Sequence, residues 1–341
     1  YDISNPTDPV LAGEFGRDGL NFTGGAVVGN YIYLNGSRMD GSASGVFVAD
    51  LSDLQNLVQA AYIPLENADA GIAAEGSHLY AIQWCTGMHV FDISNPTQLV
   101  EQSFYNTPGC AWDVSVANNR AYIADWGGGL RIVDVSSPFN PVEIDAVDTP
   151  TTADEVALNG NVALVAEWEA GMIVVRLDQP GGAYLAGSLG TFGQAVDVAV
   201  DGPYAYVAGF WDGGLNILDV HNPSQPLEVG WIQPNSTVYS VDVSGGFAYV
   251  GTIDWLTALV VVDVSDPTQP QEVGNITLPG GVMRVVVQEP YAYAALGTEG
   301  VAVIDISDPT QPSLAASWDT PGEAIDLAVE GSLVAVADTG G

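Results

Sequence analysis

A turn of the form Asp-aliphatic-Ser-x-Pro returns along the chain at nearly fixed spacing, and this regularity limits the possible folds more than any other feature. It reads Asp2-Ile-Ser-Asn-Pro6, Asp92-Ile-Ser-Asn-Pro96, Asp134-Val-Ser-Ser-Pro138, Asp219-Val-His-Asn-Pro223, Asp263-Val-Ser-Asp-Pro267 and Asp305-Ile-Ser-Asp-Pro309. A degraded copy begins at Asp50, and Arg176 fills an eighth equivalent position. The successive intervals are 48, 42, 42, 42, 43, 44 and 42 residues. A period of this length marks a stack of supersecondary units, each burying a face against the next. The 341 residues are therefore read as one continuous domain, residues 1–341, although that length could hold two.

The third copy shows what one unit contains. Trp112-Asp113-Val114-Ser115-Val116 alternates as a strand does, and Asn118-Asn119 supplies a turn. Ala121-Tyr122-Ile123-Ala124 is a second strand, Gly127-Gly128-Gly129 a break, and Leu130 to Val135 a third strand. After the Ser136-Ser137-Pro138 turn, in which Pro presets the backbone, Val142 to Val147 is the fourth. Four short strands per unit, with no helical period, predict an all-β propeller.

At these residues the chain resembles the LVIVD-repeat β-propellers of bacterial and archaeal surface proteins. The motif stands as Leu130-Arg-Ile-Val-Asp134, Leu215-Asn-Ile-Leu-Asp219, Leu259-Val-Val-Val-Asp263 and Val301-Ala-Val-Ile-Asp305. The resemblance covers essentially the whole chain and implies the fold and a surface setting, but no single activity. Counting units gives an eight-bladed β-propeller of four-stranded antiparallel blades. Its last blade is split between residues 322–341 and 1–19, so that N- and C-terminal strands close it and remove an open sheet edge.

Forty-two acids against six arginines, with no lysine, give a formal charge of −36. Such a surface repels phosphate backbones and anionic membranes, which argues against nucleic-acid binding. No apolar run approaches the roughly 20 residues of a membrane-spanning helix. No signal peptide is read in the sequence; the chain opens in mid-motif, so the expectation is either a mature or trimmed segment or targeting information upstream. Four Asn-x-Ser/Thr sequons, at Asn21, Asn35, Asn235 and Asn275, permit glycosylation.

Loops before the first strand and between the second and third strands of a blade emerge at one end, opposite the Ser-x-Pro turns. Two repeated series point to that end. Trp84, Trp126, Trp168, Phe210-Trp211 and Trp255 come from five consecutive blades. Their rings either cover joints between blades or present a ligand-facing arc able to stack on sugars. Asp113, Glu155, Asp197, Asp242 and Asp326 fall early in the innermost strands, with Arg284 in the seventh blade and Gly71 and Gly24 in the second and first. They form either a hard-cation site, calcium being the cofactor considered, or a set of hydrogen-bond acceptors tying blade to blade. Cys85 and Cys110, the only cysteines, fall in loops of adjacent blades at the same end. They could pair as a disulfide or remain as two thiols.

Recognised catalytic signatures are missing. Without lysine there is no Schiff-base nucleophile and no Walker loop; no His-Glu-x-x-His and no Gly-x-Ser-x-Gly occur. His78, His89 and His221 lie in different contexts, and six scattered arginines suit a sialidase poorly. The reading is a non-enzymatic extracellular or cell-surface propeller for structural, adhesion or surface-assembly work. Its partners would be other surface proteins or glycans, with self-assembly a further option. The rivals are a carbohydrate-active enzyme using paired carboxylates and the tryptophan arc, and a calcium-dependent binding module. The irregular stretch from Ser37 to Gly45 is the expected asymmetric partner loop. A structural role predicts paired acids and buried tryptophans, whereas an enzyme predicts unpaired carboxylates beside exposed indoles.

Overall fold

Continuous apolar runs such as Ala121-Tyr-Ile-Ala124 leave each unit with two apolar faces to cover, and the observed architecture covers both. The computed structural model describes all residues except 11, 13–19, 39–42, 54–56, 69, 150, 168–170, 178–182, 192, 223–224, 254–257, 321 and 340–341. Among the described residues there is no helix. Seven four-stranded antiparallel sheets, spanning 20–64, 72–106, 113–147, 153–189, 194–232, 238–276 and 284–318, are followed by a two-stranded sheet at 323–339. Strands A to D of each sheet pair in sequence order.

The core lies between sheets. Strand B of the third sheet, Arg120–Ala124, is buried on both faces beyond its first residue, because each face meets a different neighbour. Tyr80, Ile82 and Met88 of the second sheet join Val114, Ala121 and Ile123 of the third in one cluster. Tyr122 and Leu130 of the third join Val156 and Val165 of the fourth in the next. A tyrosine sits buried in strand B of six sheets: Tyr33, Tyr80, Tyr122, Tyr206, Tyr249 and Tyr293. Burial pushes the hydroxyls of Tyr80, Tyr206 and Tyr249 up to about 12, so these rings stay neutral fillers at physiological pH.

Strand D faces solvent, with exposed residues such as Val100 and Leu227 at its start. Each of the seven C–D pairings carries a register shift, for example between Ile132 and Val133 and between Val261 and Val262. Bulges twist an outer strand away from flat pairing with another chain.

The aspartate of every Ser-x-Pro copy accepts the amide hydrogen of the residue two places on. Asp2 bonds Ser4, Asp92 bonds Ser94, Asp134 bonds Ser136 and Asp219 bonds His221, each at 2.8 Å. Asp263 and Asp305 do the same to Ser265 and Ser307 at 2.9 Å, and the degraded copy keeps the bond from Ser52 to Asp50 at 2.8 Å. These turns also fasten sheets together. Ser103 Oγ donates to the Pro138 carbonyl of the next sheet at 2.5 Å. A side chain on Gly230 or Gly274 would overlap the carbonyl oxygen of Pro267 or Pro309.

Strand A of each sheet packs beside strand A of the next, and strand A of the first sheet packs against the second strand of the last. The N-terminus lies along that same second strand: Asp2 bridges Leu333 and Val10. Ile3 donates its amide to the Ser332 carbonyl at 2.8 Å, the bond that Ile93 makes to Ser77 and Val135 to Asn119 inside other sheets. Of the expected third and fourth strands, placed in residues 1–15, the described residues show the bridges at Asp2 and Val10, and residues 11 and 13–15 lie outside what is described. The partner-loop stretch is a hairpin pairing Ser37 with Ser44, and its residues 39–42 lie outside the described residues.

Candidate interaction end

The strand registers define one equivalent position near the start of each strand A. Asp113 faces Ala124, Glu155 faces Ala166, Asp197 faces Ala208, Arg284 faces Ala295 and Asp326 faces Ala337. In the sixth sheet the residue there is Ser240, opposite Gly251. The placement of Asp242 in the acid series is therefore corrected: it lies two residues further along the same face. The spacing of the turns contained this signal, because intervals of 43 and 44 residues carry Asp197 to Ser240 and Ser240 to Arg284.

Asp197 is the hub of this side. It is 3% exposed, and its Oδ2 accepts from Ser240 Oγ at 3.0 Å and from the Val241 amide at 2.9 Å. Its Oδ1 accepts from its neighbour Val198 at 2.9 Å and from Arg284 at 3.0 Å. Ser240 Oγ in turn accepts from the Val285 amide at 3.0 Å, so one network spans the fifth, sixth and seventh sheets. Arg284 also lies 3.6 Å from Asp326 Oδ1. Asp113 accepts from Val156 of the next sheet at 3.4 Å, and Asp242 from Val287 of the next at 2.7 Å. Burial pushes the carboxyls of Asp113 and Asp242 up, against the lowering effect of those amides and of the Arg284 charge.

Among the described residues no three His, Cys, Asp or Glu side chains converge as a metal would require. Of the two readings of the series, Asp113, Asp197 and Asp242 make the blade-to-blade hydrogen bonds, from amides, a hydroxyl and a guanidinium, while Asp326 Oδ1 accepts from the amide of its neighbour Leu327. Glu155 lies in a described strand, but its side chain falls outside what is described.

A second acid series went unread in the sequence. Thr107, Thr149 and Thr320, each followed by Pro, stand 18 residues before Asp125, Glu167 and Asp338. Gly109 donates to Asp125 Oδ2 at 2.7 Å, Thr151 to Glu167 Oε2 at 3.3 Å, and Thr320 and Gly322 to Asp338 at 3.3 and 3.0 Å. Each acid at the end of strand B thus clasps the loop entering strand A of its own sheet. Burial pushes the carboxyls of Asp125 and Glu167 up, against hydrogen bonds from these loops.

The described tryptophans of the series are exposed. Trp84, Trp126 and Trp211 are 38%, 44% and 64% exposed, and Trp112, absent from the sequence-derived series, is 49% exposed. Trp168 and Trp255 lie outside the described residues. Trp84 and Trp112, from adjacent sheets, meet edge to face with ring centroids 6.4 Å apart. Close to them in the chain are Cys85 and Cys110, which the structure joins as a disulfide. Trp126 and Trp211 hold left-handed backbones, φ +40° and +61°, a conformation costing a non-glycine residue about 1 kcal/mol or more. The seventh sheet makes the Trp126 turn with Gly297 at φ +61°. Both residues exchange backbone contact with the start of the next strand A, Trp126 with Ala153 and Gly297 with Ala324.

Of the sequons, Asn35 is corrected. It is buried in strand B of the first sheet and donates to the Ala70 and Ile82 carbonyls at 3.1 and 2.8 Å, which leaves no room for a glycan in the folded chain. Asn235 and Asn275 are exposed, and the Asn21 side chain is outside what is described.

The model of the LVIVD repeat matches residues 1–16, 69–107, 108–149, 150–180, 192–233, 237–277 and 279–320. No curated protein sequence matches. The computationally designed Ika8 protein is similar in structure, with TM-score 0.74, 12% identity and 94% of each chain covered. Sqt1 of Chaetomium thermophilum, bound to the N-terminus of ribosomal protein L10, gives TM-score 0.72 at 14% identity over 95% of this chain and 97% of that one. BamB from Moraxella catarrhalis gives 0.61 at 13% identity over 83% and 82%. At such identities the likeness speaks to fold alone.

Proposed function

This chain belongs to the LVIVD-repeat family, and we propose that it works as a non-enzymatic interaction module whose docking side is the end carrying the B–C loops. The observation that carries this is Trp126. Its turn is made with glycine in the seventh sheet, so the backbone does not ask for tryptophan; its indole is 44% exposed, so the core does not either. A strained, half-exposed indole costs folding stability, and contact with another molecule supplies the compensation. Trp84, Trp112 and Trp211 at the same end extend the surface.

In this reading the eight sheets form a closed eight-bladed ring, with the N-terminal segment completing the last blade. The bond from Ile3 to Ser332 and the packing of the first sheet on the last support closure. The disulfide between Cys85 and Cys110 favours an oxidising, extracellular or cell-surface setting. Among the described residues no helix is long and apolar enough to cross a membrane. Binding is favoured over hydrolysis because Asp197, the most buried acid of the A-strand series, is committed to four hydrogen bonds. Sqt1, similar in fold, is bound to a peptide terminus of another protein, which supports a protein partner here.

The test is selection of a displayed random-peptide library and, in parallel, a glycan array, on wild type and on a variant carrying Trp84→Ala, Trp126→Gly and Trp211→Gly. Peptides enriched on wild type and lost on the variant support the proposal. Glycans alone would replace the partner class, and ligands indifferent to the three substitutions would overturn the docking side.

A further inference from the structure

We propose that the B–C end takes an extended, arginine-rich segment of a partner protein; this deepens the docking reading above and rests on it. The surface offers two things together, flat aromatic faces and negative charge. Trp84 and Trp112 form one patch across the seam between the second and third sheets, and the disulfide between their loops fixes its shape. Trp126 lies in the B–C loop of the third sheet, and Trp211 packs on Phe210 at 4.9 Å in the fifth.

Acids outnumber bases at this end, where Arg38, Arg131 and Arg284 are the described arginines. Glu66, Asp148, Asp212, Glu299 and Asp319 are exposed in its loops, and Asp212 follows Trp211 directly. Two of its arginines are already matched: Arg131 lies 3.6 Å from Asp125 and 3.9 Å from Glu143, and Arg284 bonds Asp197. With 42 acids and no lysine in the chain, an anionic peptide or an anionic lipid surface meets repulsion. A neutral glycan could stack on the indoles but would gain nothing from the charge.

A guanidinium uses both features. It is planar and weakly hydrated, so it lies over an indole face, and its fork of donors meets a carboxylate beside the ring. An ammonium pairs with the carboxylates but stacks less well. An extended segment suits indoles spread over several loops, since successive side chains can reach successive rings.

The probe is a fluorescein-labelled peptide of alternating Arg and Gly, measured by anisotropy against the whole chain, with Lys–Gly and Glu–Gly peptides as comparators. The Arg peptide is expected to bind tightest, the Lys peptide several-fold more weakly, and the Glu peptide not at all. Raising salt from about 50 mM to about 500 mM should weaken binding by about tenfold or more. The Trp84→Ala, Trp126→Gly, Trp211→Gly variant should lose about tenfold with a melting temperature no lower than that of the wild type. Equal affinity for Arg and Lys peptides, unchanged in the variant, would reduce the effect to bulk charge and overturn the inference. A neutral library peptide that binds through the tryptophans without salt dependence would overturn the arginine-rich segment alone and leave the docking end standing. Library ligands that ignore the tryptophans would remove both.

Discussion

At the Ser-x-Pro end, seven aspartates each take an amide from two residues ahead and remain in water, while the acids within the strands and sheet seams, Asp113, Asp125, Glu167, Asp197 and Asp242, are withdrawn from it. The difference appears in their titration. Hydrogen bonds from the serine two places on hold Asp2, Asp50, Asp92, Asp134, Asp263 and Asp305 below the ordinary carboxylate range. Burial holds Asp113, Asp125, Glu167 and Asp242 above it. Carboxylates in water shape a turn at little cost. Carboxylates inside must be satisfied by partners from neighbouring strands and sheets, so they lock the position of one unit against the next.

The comparison breaks most visibly at Asp197. Replacing it with alanine leaves Arg284 and Ser240 without their shared acceptor and should cost about 3–5 kcal/mol, read by urea unfolding. A loss below about 1 kcal/mol would mean the network does not hold the sheets. Removing the disulfide through Cys85→Ser with Cys110→Ser should cost about 3 kcal/mol for a loop of this size. Because it staples only the second and third sheets, the variant should also weaken any ligand that touches Trp84 and Trp112. Gly230→Ala drives a methyl into the Pro267 carbonyl of the next sheet and should cost about 1–3 kcal/mol.

The pH response sharpens the contrast between the two ends. For a carboxyl raised by burial, the folded chain binds its proton first as pH falls, so stability rises between neutrality and the ordinary carboxylate range near pH 4. For the turn aspartates the unfolded chain binds first, so their contribution is present above the ordinary range and is lost as pH falls through their lowered values. Stability is therefore expected to peak in mild acid. Asp125→Asn should flatten the rise on the neutral side while leaving the acid limb in place; unchanged slopes on both sides would refute the assignment. Asp92→Asn is the smallest expected effect, a slight softening of the acid limb measured by melts across pH, since that carboxylate stands in water.

The repeat was legible because each turn is local: Asp, Ser and Pro within five residues make their own bonds, whatever lies beyond. The tyrosine-bearing strand B was legible for the same reason, as a short β-rich run between glycines and turns. The acid series was legible only in part. Asp242 matches Asp197 by its Val-Asp-Val neighbours, yet Ser240 takes the equivalent place: both strands carry the same bulge, between Ala195 and Asp197 and between Val238 and Ser240, and the pairing with strand B, not local sequence similarity, sets the alignment. The threonine clasp was missed because its members stand 18 residues apart and become neighbours only when strands A and B pair.

By itself the sequence determined the unit: the turn, the four strands, their order, the charge and the family. These follow from interactions within a few tens of residues, repeated until the pattern exceeds chance. Only the tertiary structure decided which groups face one another across a seam. It withdrew Asp197 from water, buried Asn35 against two carbonyls, and left Trp126 exposed on a strained turn. Burial is a property of neighbours supplied by the next sheet, and the same residue type is acceptor, filler or docking surface according to what that sheet places against it.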